Sequence, residues 1–453
     1  MTRDVSLPLW LFLLIIAFAV TSFASNFLFP SVRWFLRGRM ERAVKRLNER
    51  LDRPIDLFKL AERQDRIARL VYDAKVMDAV ADHAAETGTP VPVAFEEARR
   101  YAREIVPGFS TTLYFGVAIR LARWLSRSLY RVRFARPDPA LARIAPEATV
   151  VFVMNHRSNM DYVLVTWLVA GRASISYAVG EWARIWPLSA MIRAMGAYFI
   201  RRKSRNTLYR RVLARYVQMA TAEGTTQAIF PEGGLSLDGR LGEAKLGLLS
   251  YIVAGYGPGT RDVVFVPVGL AYDRVLEDRI LIEAAGTGER RFRSRPVAAL
   301  FGLLRLVALK ILGRYKGFGT AAAAFGTPVS LREFLAERPD DATGEVTEDL
   351  GRHLMAAIAE VVPVVPVGLV ALALARGADS QASLLAGAER LAQELAAQGA
   401  VLKLAPQGME ATVREGLDHL MRRRLIGPDL KPRPGAEAII NFYTAGLIQR
   451  LEK

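Results

Sequence analysis

The sequence predicts an α/β protein: a mixed β-sheet flanked by helices, preceded by an apolar N-terminal helix and followed by a helical C-terminal region. Three observations carry this expectation. Residues 7–29 are almost wholly apolar. From residue 147 short apolar runs alternate with helix-forming stretches, the texture of strands and helices packed in layers. Beyond Pro339, Ala-, Leu- and Glu-rich segments dominate.

The 23 residues of 7–29 would span about 34 Å as a helix, enough for a bilayer core of about 30 Å. Arg33, Arg37, Arg39, Arg42, Lys45 and Arg46 follow at once, which places the body of the protein on the cytoplasmic side by the positive-inside rule. Ala19, Ser22 and Ala24 would suit a cleaved signal peptide, but the nearly neutral flank before the run and the basic flank after it favour a retained anchor. Residues 1–32 are therefore expected to be a single transmembrane anchor. Residues 33–140 read as helical, with apolar residues at three- and four-residue spacing in 61–88 and 92–105. Within 113–134, Leu, Val, Ile, Trp124 and Tyr130 mix with Arg120, Arg123, Arg127, Arg131 and Arg133. Such a segment is either an interfacial helix with its arginines at the headgroups or a packed helix with a solvated basic face. Pro137 and Pro139 mark a linker.

The α/β region is expected over 141–335, with strands at 149–154, 175–179, 197–200, 227–230, 263–268 and 321–325. Helices at 161–168, 185–195 and 206–222 lie between them. Residues 297–312 form another apolar helical stretch. The remainder, 336–453, is expected to be helical, notably at 348–361, 381–398 and 410–425.

Composition narrows the partners. The chain of 453 residues carries 62 Lys+Arg against 45 Asp+Glu, a formal charge of +17. That excess favours an anionic membrane surface or phosphorylated substrates. The arginines are spread between apolar stretches and no nucleic-acid-binding module is recognisable, so nucleic acid is not an expected partner. Cysteine is absent, which excludes disulfides and thiolate metal sites.

Four blocks at predicted strand ends carry chemistry. In the first, an apolar β-branched run delivers Asn155-His156-Arg157-Ser158-Asn159-Met160-Asp161-Tyr162. On a regular helix His156 and Asp161 would lie about 140° apart, so they meet only if His156 sits in the turn and Asp161 in the first helical turn. A carboxylate on one imidazole nitrogen leaves the other free for a substrate proton. The same polar residues could equally serve as helix caps. The second block, Gly196-Ala197-Tyr198-Phe199-Ile200-Arg201-Arg202-Lys203, sends a strand into guanidinium groups able to clamp a phosphate. The third, Phe230-Pro231-Glu232-Gly233-Gly234, is a strand followed by a turn with one carboxylate at its mouth. The fourth, Val264-Phe265-Val266-Pro267-Val268-Gly269-Leu270, is a strand whose proline implies an edge, a bulge or a substrate wall.

In this order the four blocks resemble the motifs of the glycerolipid acyltransferase family, in its glycerol-3-phosphate and dihydroxyacetone-phosphate acyltransferase branch. Arg157-Ser158 and Tyr162 are similar to that branch, as are Glu360-Val361-Val362-Pro363 and Phe442-Tyr443 further on. The resemblance implies the glycerolipid acyltransferase fold and a membrane-bound enzyme. That enzyme would move a fatty acyl group from acyl-CoA or acyl carrier protein to the sn-1 hydroxyl of glycerol 3-phosphate, the first step of phospholipid synthesis. It implies His156 as base and Asp161 as its partner. Arg157, Ser158, Arg201, Arg202, Arg240 and Lys245 would bind substrate, and Glu232 would orient the acceptor or the basic cluster. Backbone N–H groups near Gly233 and Gly234 would meet the oxyanion. No cofactor is implied, and no metal is expected, since neither His156 nor Asp161 has partners at ligand spacing. One departure stands out: where the branch usually has Arg-Ser-Arg after its Glu-Gly-Gly, this chain has Leu235-Ser236-Leu237. That favours a lysophosphatidate or other lysolipid acceptor as the alternative. A second alternative is a catalytically silent lipid-binding membrane protein.

Overall fold

The computed structural model describes residues 55–134, 139–170, 173–180, 188–201, 204, 206–287, 317–338 and 343–452, with 8–10, 14, 16, 48, 49, 51 and 53 before them. The chain divides into two compact units, residues 1–54 with 171–173 and residues 55–170 with 174–453; every element named below lies in the second. The expected anchor at 1–32 falls almost wholly outside the described residues, as does the apolar stretch 297–312. Among the described residues no helix is long and apolar enough to cross a membrane.

After a single helical turn at Leu57–Leu60, three longer helices follow: α1 (Arg63–Val71), α2 (Ala74–Thr87) and α3 (Val91–Ile105). Asp73 starts α2 by accepting from Lys75 N (3.1 Å), and Gly88, at φ +67°, ends it. The buried face of α3 is Ala94, Ala98, Tyr101, Ala102 and Ile105, a three- and four-residue stripe. A π-helical stretch, Thr112–Ala118, leads into α4 (Ile119–Leu129).

The basic helix expected to run to 134 stops at Leu129. Arg131-Val132-Arg133-Phe134 is instead strand β1, which pairs in parallel with Thr320–Phe325. Its alternating charged and apolar residues have the two-residue period of a strand. Arg133 also donates to both oxygens of Glu415 (3.2 and 3.0 Å). Read along the chain alone these arginines continue a basic helix; their partners, Glu415 and β7, lie far away in sequence.

The other strands are β2 (Thr149–Met154), β3 (Ser176–Val179), β4 (Tyr198–Phe199), β5 (Gln227–Ile229), β6 (Val263–Tyr272), β7 (Thr320–Phe325) and β8 (Val329–Ser330). Among the described residues they form one sheet in the order β1-β7-β6-β2-β5-β3-β4, with β8 beside β6. β6, β2, β5, β3 and β4 run parallel, while β7 and β8 run antiparallel to β6. The sheet is thus mixed and flanked by helices. β2 sits inside it with all six residues buried, as a parallel strand covered on both faces must be. Helices α5 (Met160–Val169), α6 (Leu188–Ala194), α7 (Thr207–Ala222) and α8 (Gly247–Val253) connect these strands, and α9 (Asp278–Thr287) follows β6. Because β2, β5 and β4 share one direction, the three blocks that follow them emerge at one edge, the carboxyl edge where α/β folds place sites.

Helices α10 (Leu331–Ala336), α11 (Thr343–Val361), α12 (Pro366–Ala375), α13 (Gln381–Ala397), α14 (Met409–Arg422) and α15 (Glu437–Leu451) complete the unit. They are built into the sheet. Asp273, just beyond β6, accepts from Thr320 N (2.6 Å) and from Val367 N (2.8 Å), so one carboxylate joins β7 to the first turn of α12. Burial pushes its carboxyl up to about 6 against those hydrogen bonds. Tyr443 on α15 donates to Asp278 Oδ2 (2.6 Å) and accepts from Val275 N (3.0 Å), locking that helix to the turn after β6.

Gly239 makes the closest approach. Its φ is +84°, and a Cβ there would lie 1.8 Å from the Phe442 carbonyl oxygen on α15. Gly239→Ala is expected to lower stability by at least about 1–3 kcal/mol, because strain at φ adds to a backbone clash. Chemical denaturation of the variant measures this; an unchanged midpoint would mean that loop and helix separate freely.

Candidate active site

The centre is built where β2 ends and α5 begins. Asn155 closes the strand by exchanging two hydrogen bonds with the Leu270 backbone of β6, through its side-chain N (2.9 Å) and O (2.8 Å). His156 then occupies the turn and Asp161 the first turn of α5, the placement that lets the two meet. His156 Nδ1 lies 2.9 Å from Asp161 Oδ2, with the residues 1% and 0% exposed. The same oxygen accepts from Arg157 N (2.7 Å) and Ser158 N (3.0 Å), and Oδ1 accepts from the Tyr272 hydroxyl (2.7 Å). Four donors converge on one buried carboxylate and fix its orientation. Burial, then the Asp161 charge, pushes the Tyr272 phenol well above its ordinary range and keeps it a donor.

The imidazole is oriented on its other faces as well. Its ring stacks on Phe230 (centroids 4.0 Å apart, 25° between planes), and Tyr162 meets it edge-on at 5.5 Å. Nε2 has no hydrogen-bond partner among the described residues. With Nδ1 directed to a carboxylate, Nε2 is the nitrogen available to a proton brought by a ligand.

Glu232 holds the turn from below. Its Oε1 accepts from His156 N (2.8 Å) and its Oε2 from Gly242 N (3.0 Å), while Ser236 N donates to the His156 carbonyl (2.9 Å). These contacts make Glu232 the tie between the His156 turn and the loop 235–246. In Glu232→Gln the side-chain amide would confront one of the two N–H groups, leaving a donor unpaired at about 1–3 kcal/mol. The expected kinetic signature is a fall in kcat with the acceptor KM unchanged; a rise in KM alone would make Glu232 a substrate contact instead.

The remaining expected residues divide by location. Ser158 Oγ donates to Glu277 Oε2 (2.8 Å), and Asn159 donates to Glu277 Oε1 from its backbone N (3.2 Å) and its side chain (3.0 Å). The Ser158 hydroxyl therefore helps fix the turn. Arg157 directs its guanidinium to the Gly239 carbonyl. Gly233, at φ +68°, donates its N–H to the Phe230 carbonyl (2.9 Å), which removes that donor from an oxyanion role. The Gly234 N–H has no such bond among those described. Arg240 and Lys245 are exposed, and the Lys245 stem lies over Gly233, where a Cβ would be 2.9 Å from Lys245 Cγ.

Arg201 stands apart. β4 is three strands from β2, about 14 Å at ordinary strand spacing. Its guanidinium is bound bidentately by Glu104 (2.8 and 2.6 Å), whose hydrogen bonds raise its pKa. Arg202 lies outside the described residues. Tyr272, Glu277 and Glu104 were not singled out from sequence. The available hint for the first two was polar residues directly after an apolar strand.

A buried imidazole, gripped by a carboxylate on one nitrogen and open on the other, is an arrangement able to serve as a general base at the edge of an α/β sheet. Comparison with known proteins gives it a family. Residues 119–271 match the Acyltransferase family, and residues 300–441 match the glycerol-3-phosphate acyltransferase C-terminal region. Glycerol-3-phosphate acyltransferase of Pseudomonas fluorescens (strain SBW25) is 30% identical over 379 residues, 79% of this chain and 43% of that protein. Its counterpart in Pseudomonas entomophila (strain L48) is 29% identical over 393 residues, 82% of this chain and 45% of that protein. The chain thus spans less than half the length of these relatives. Among solved structures, the 1-acyl-sn-glycerophosphate (LPA) acyltransferase of Thermotoga maritima covers 65% of this chain and 97% of its own at 19% identity, with a TM-score of 0.32. The chain belongs to the glycerolipid acyltransferase family, in its glycerol-3-phosphate acyltransferase branch.

Proposed function

We propose that this chain transfers a fatty acyl group from an acyl thioester, carried on CoA or acyl carrier protein, to the sn-1 hydroxyl of glycerol 3-phosphate. The observation that supports it is the Asp161–His156 pair with Nε2 directed to no protein group. His156 Nε2 takes the hydroxyl proton as the acceptor oxygen attacks the thioester carbonyl carbon. The tetrahedral adduct then expels the thiolate, which recovers that proton from the imidazolium, so no acyl-enzyme is needed. The Gly234 N–H is the backbone donor left for the oxyanion. Arg240 and Lys245, exposed on the loop braced against the His156 turn, would hold the acceptor phosphate. We further propose that residues 7–29 anchor the chain in a bilayer, with the site on the cytoplasmic side.

Leu235 and Leu237, where the branch usually carries arginines, favour lysophosphatidate as the second reading. Labelled acyl-CoA offered with glycerol 3-phosphate and with lysophosphatidate in separate reactions decides between them. Product from glycerol 3-phosphate is expected; product only from lysophosphatidate would transfer the assignment.

A further inference from the structure

The C-terminal helices enclose a cavity of about 480 Å³ beside the His156 turn. Arg157 and Tyr272, two of the residues that bond to Asp161, line it, whereas neither His156 nor Phe230 borders it. The walls are apolar, with Leu241, Val362, Val365, Phe442 and Leu447 among them. Two glycines keep the helices close. A Cβ at Gly368 would lie 3.4 Å from Leu447 Cδ1, and one at Gly446 would lie 3.1 Å from Arg157 Nη2.

Most polar groups around this space have partners. Tyr272 donates to Asp161, and Tyr443 donates to Asp278. Arg450 donates to the carbonyls of Ala359, Glu360 and Gln398, and Gln449 exchanges two hydrogen bonds with the Leu241 backbone. Arg157 differs. Its guanidinium, with five N–H donors, is bonded to the Gly239 carbonyl and to no carboxylate among the described residues. Burial, opposed by the more distant charges of Glu232, Asp161 and Asp238, holds its pKa below the ordinary arginine range. A half-buried guanidinium in that condition gains most from a carboxylate or phosphate brought in by a ligand. Glu360 also lines the space, but its charge faces that of Arg450, so neither is a lone charge offered to a ligand.

The volume falls within the range of about 300–1,000 Å³ typical of small-molecule sites, and the apolar walls suit hydrocarbon rather than a sugar phosphate or a nucleotide. We propose that this cavity is a binding site for a single-chain lipid with an anionic headgroup, the head on Arg157 and the chain lying between α11, α12 and α15. The site is separate from the reacting nitrogen, and it stands whether or not glycerol 3-phosphate is the acceptor. A free fatty carboxylate and a lysophosphatidate share the required chemistry.

Equilibrium dialysis of the full chain with radiolabelled hexadecanoate and hexadecan-1-ol tests it. Wild type is expected to bind the carboxylate at least about tenfold more tightly than the alcohol, as a charge-assisted pair requires. Arg157→Gln should abolish that preference. Ala359→Leu, which fills the cavity from α11 at a position where leucine suits a helix, should weaken both ligands about tenfold or more. Ala356→Leu, nearly one turn earlier on the same helix, repeats the test if the first variant folds poorly. His156→Ala should bind as wild type. In a competing arm, 1-palmitoyl lysophosphatidate displacing hexadecanoate at lower concentration than hexadecanoate itself identifies a phosphate head; weaker displacement identifies a carboxylate. Equal wild-type affinity for acid and alcohol, cavity-filled variants that bind normally, or loss of binding in His156→Ala would each overturn the proposal.

Discussion

Replacing His156 by alanine is expected to reduce acyl transfer by about 10²–10⁴-fold, the contribution of a positioned general base. The reasoning is geometric. Nε2 is presented without a protein partner, and the ring is fixed by Asp161, by stacking on Phe230 and by the edge of Tyr162. No other imidazole stands in this turn: His83, His353 and His419 lie on helices elsewhere. The fold should survive, since the turn is held by the His156 backbone through Glu232 and Ser236, which alanine retains. Steady-state rates with a labelled thioester, beside a thermal melt of the same preparation, separate the two effects. A variant within threefold of wild type, with a normal melt, would remove His156 from the chemistry.

Asp161→Asn is expected to cost activity on the same scale with a smaller structural penalty. An asparagine oxygen in the Oδ2 position can still accept from His156 Nδ1, Arg157 N and Ser158 N, the three donors that meet there. The new amide would face Tyr272, whose hydroxyl can rotate from donor to acceptor. What disappears is the negative charge that supports an imidazolium as the proton arrives. Asp161→Ala leaves the same donors unpaired in a fully buried site, and each such group costs about 1–3 kcal/mol. The pair of variants therefore separates charge from scaffolding. An asparagine variant that kept full activity would show that the carboxylate serves the turn alone.

Much of this arrangement was legible because it is local. Thr149–Met154 announces itself by β-branched apolar composition, and the meeting of His156 with Asp161 follows from placing one in a turn and the other in a helix. What escaped is joined over long distances in the chain. Tyr272 reaches Asp161 across 111 residues, Glu277 reaches Ser158 across 119, and Arg201 meets Glu104 across 97. No periodicity reports such pairings. β1 hid for a related reason: its arginines are explained by Glu415 and its strand by β7, both far away. β6 runs on past the expected 263–268 to Tyr272. Gly269 makes this possible, since a Cβ there would lie 2.2 Å from the Val361 carbonyl oxygen at the end of α11. The absence of a side chain at 269 is what admits the helix above it.

The seating of loop 235–246 on α15 has a consequence for the order in which the molecule matures. Leu241 is bonded to Gln449, 208 positions later, and Gly239 rests against the Phe442 carbonyl. Contacts of such sequence separation form late, after their loop-closure entropy has been met. A nascent chain on the ribosome can therefore assemble β2, β5 and β6 while the seat of this loop on α15 is still unmade. Until α15 docks, Leu241 and Gly239 lack these partners, and the apolar residues of that loop stay uncovered on the growing chain.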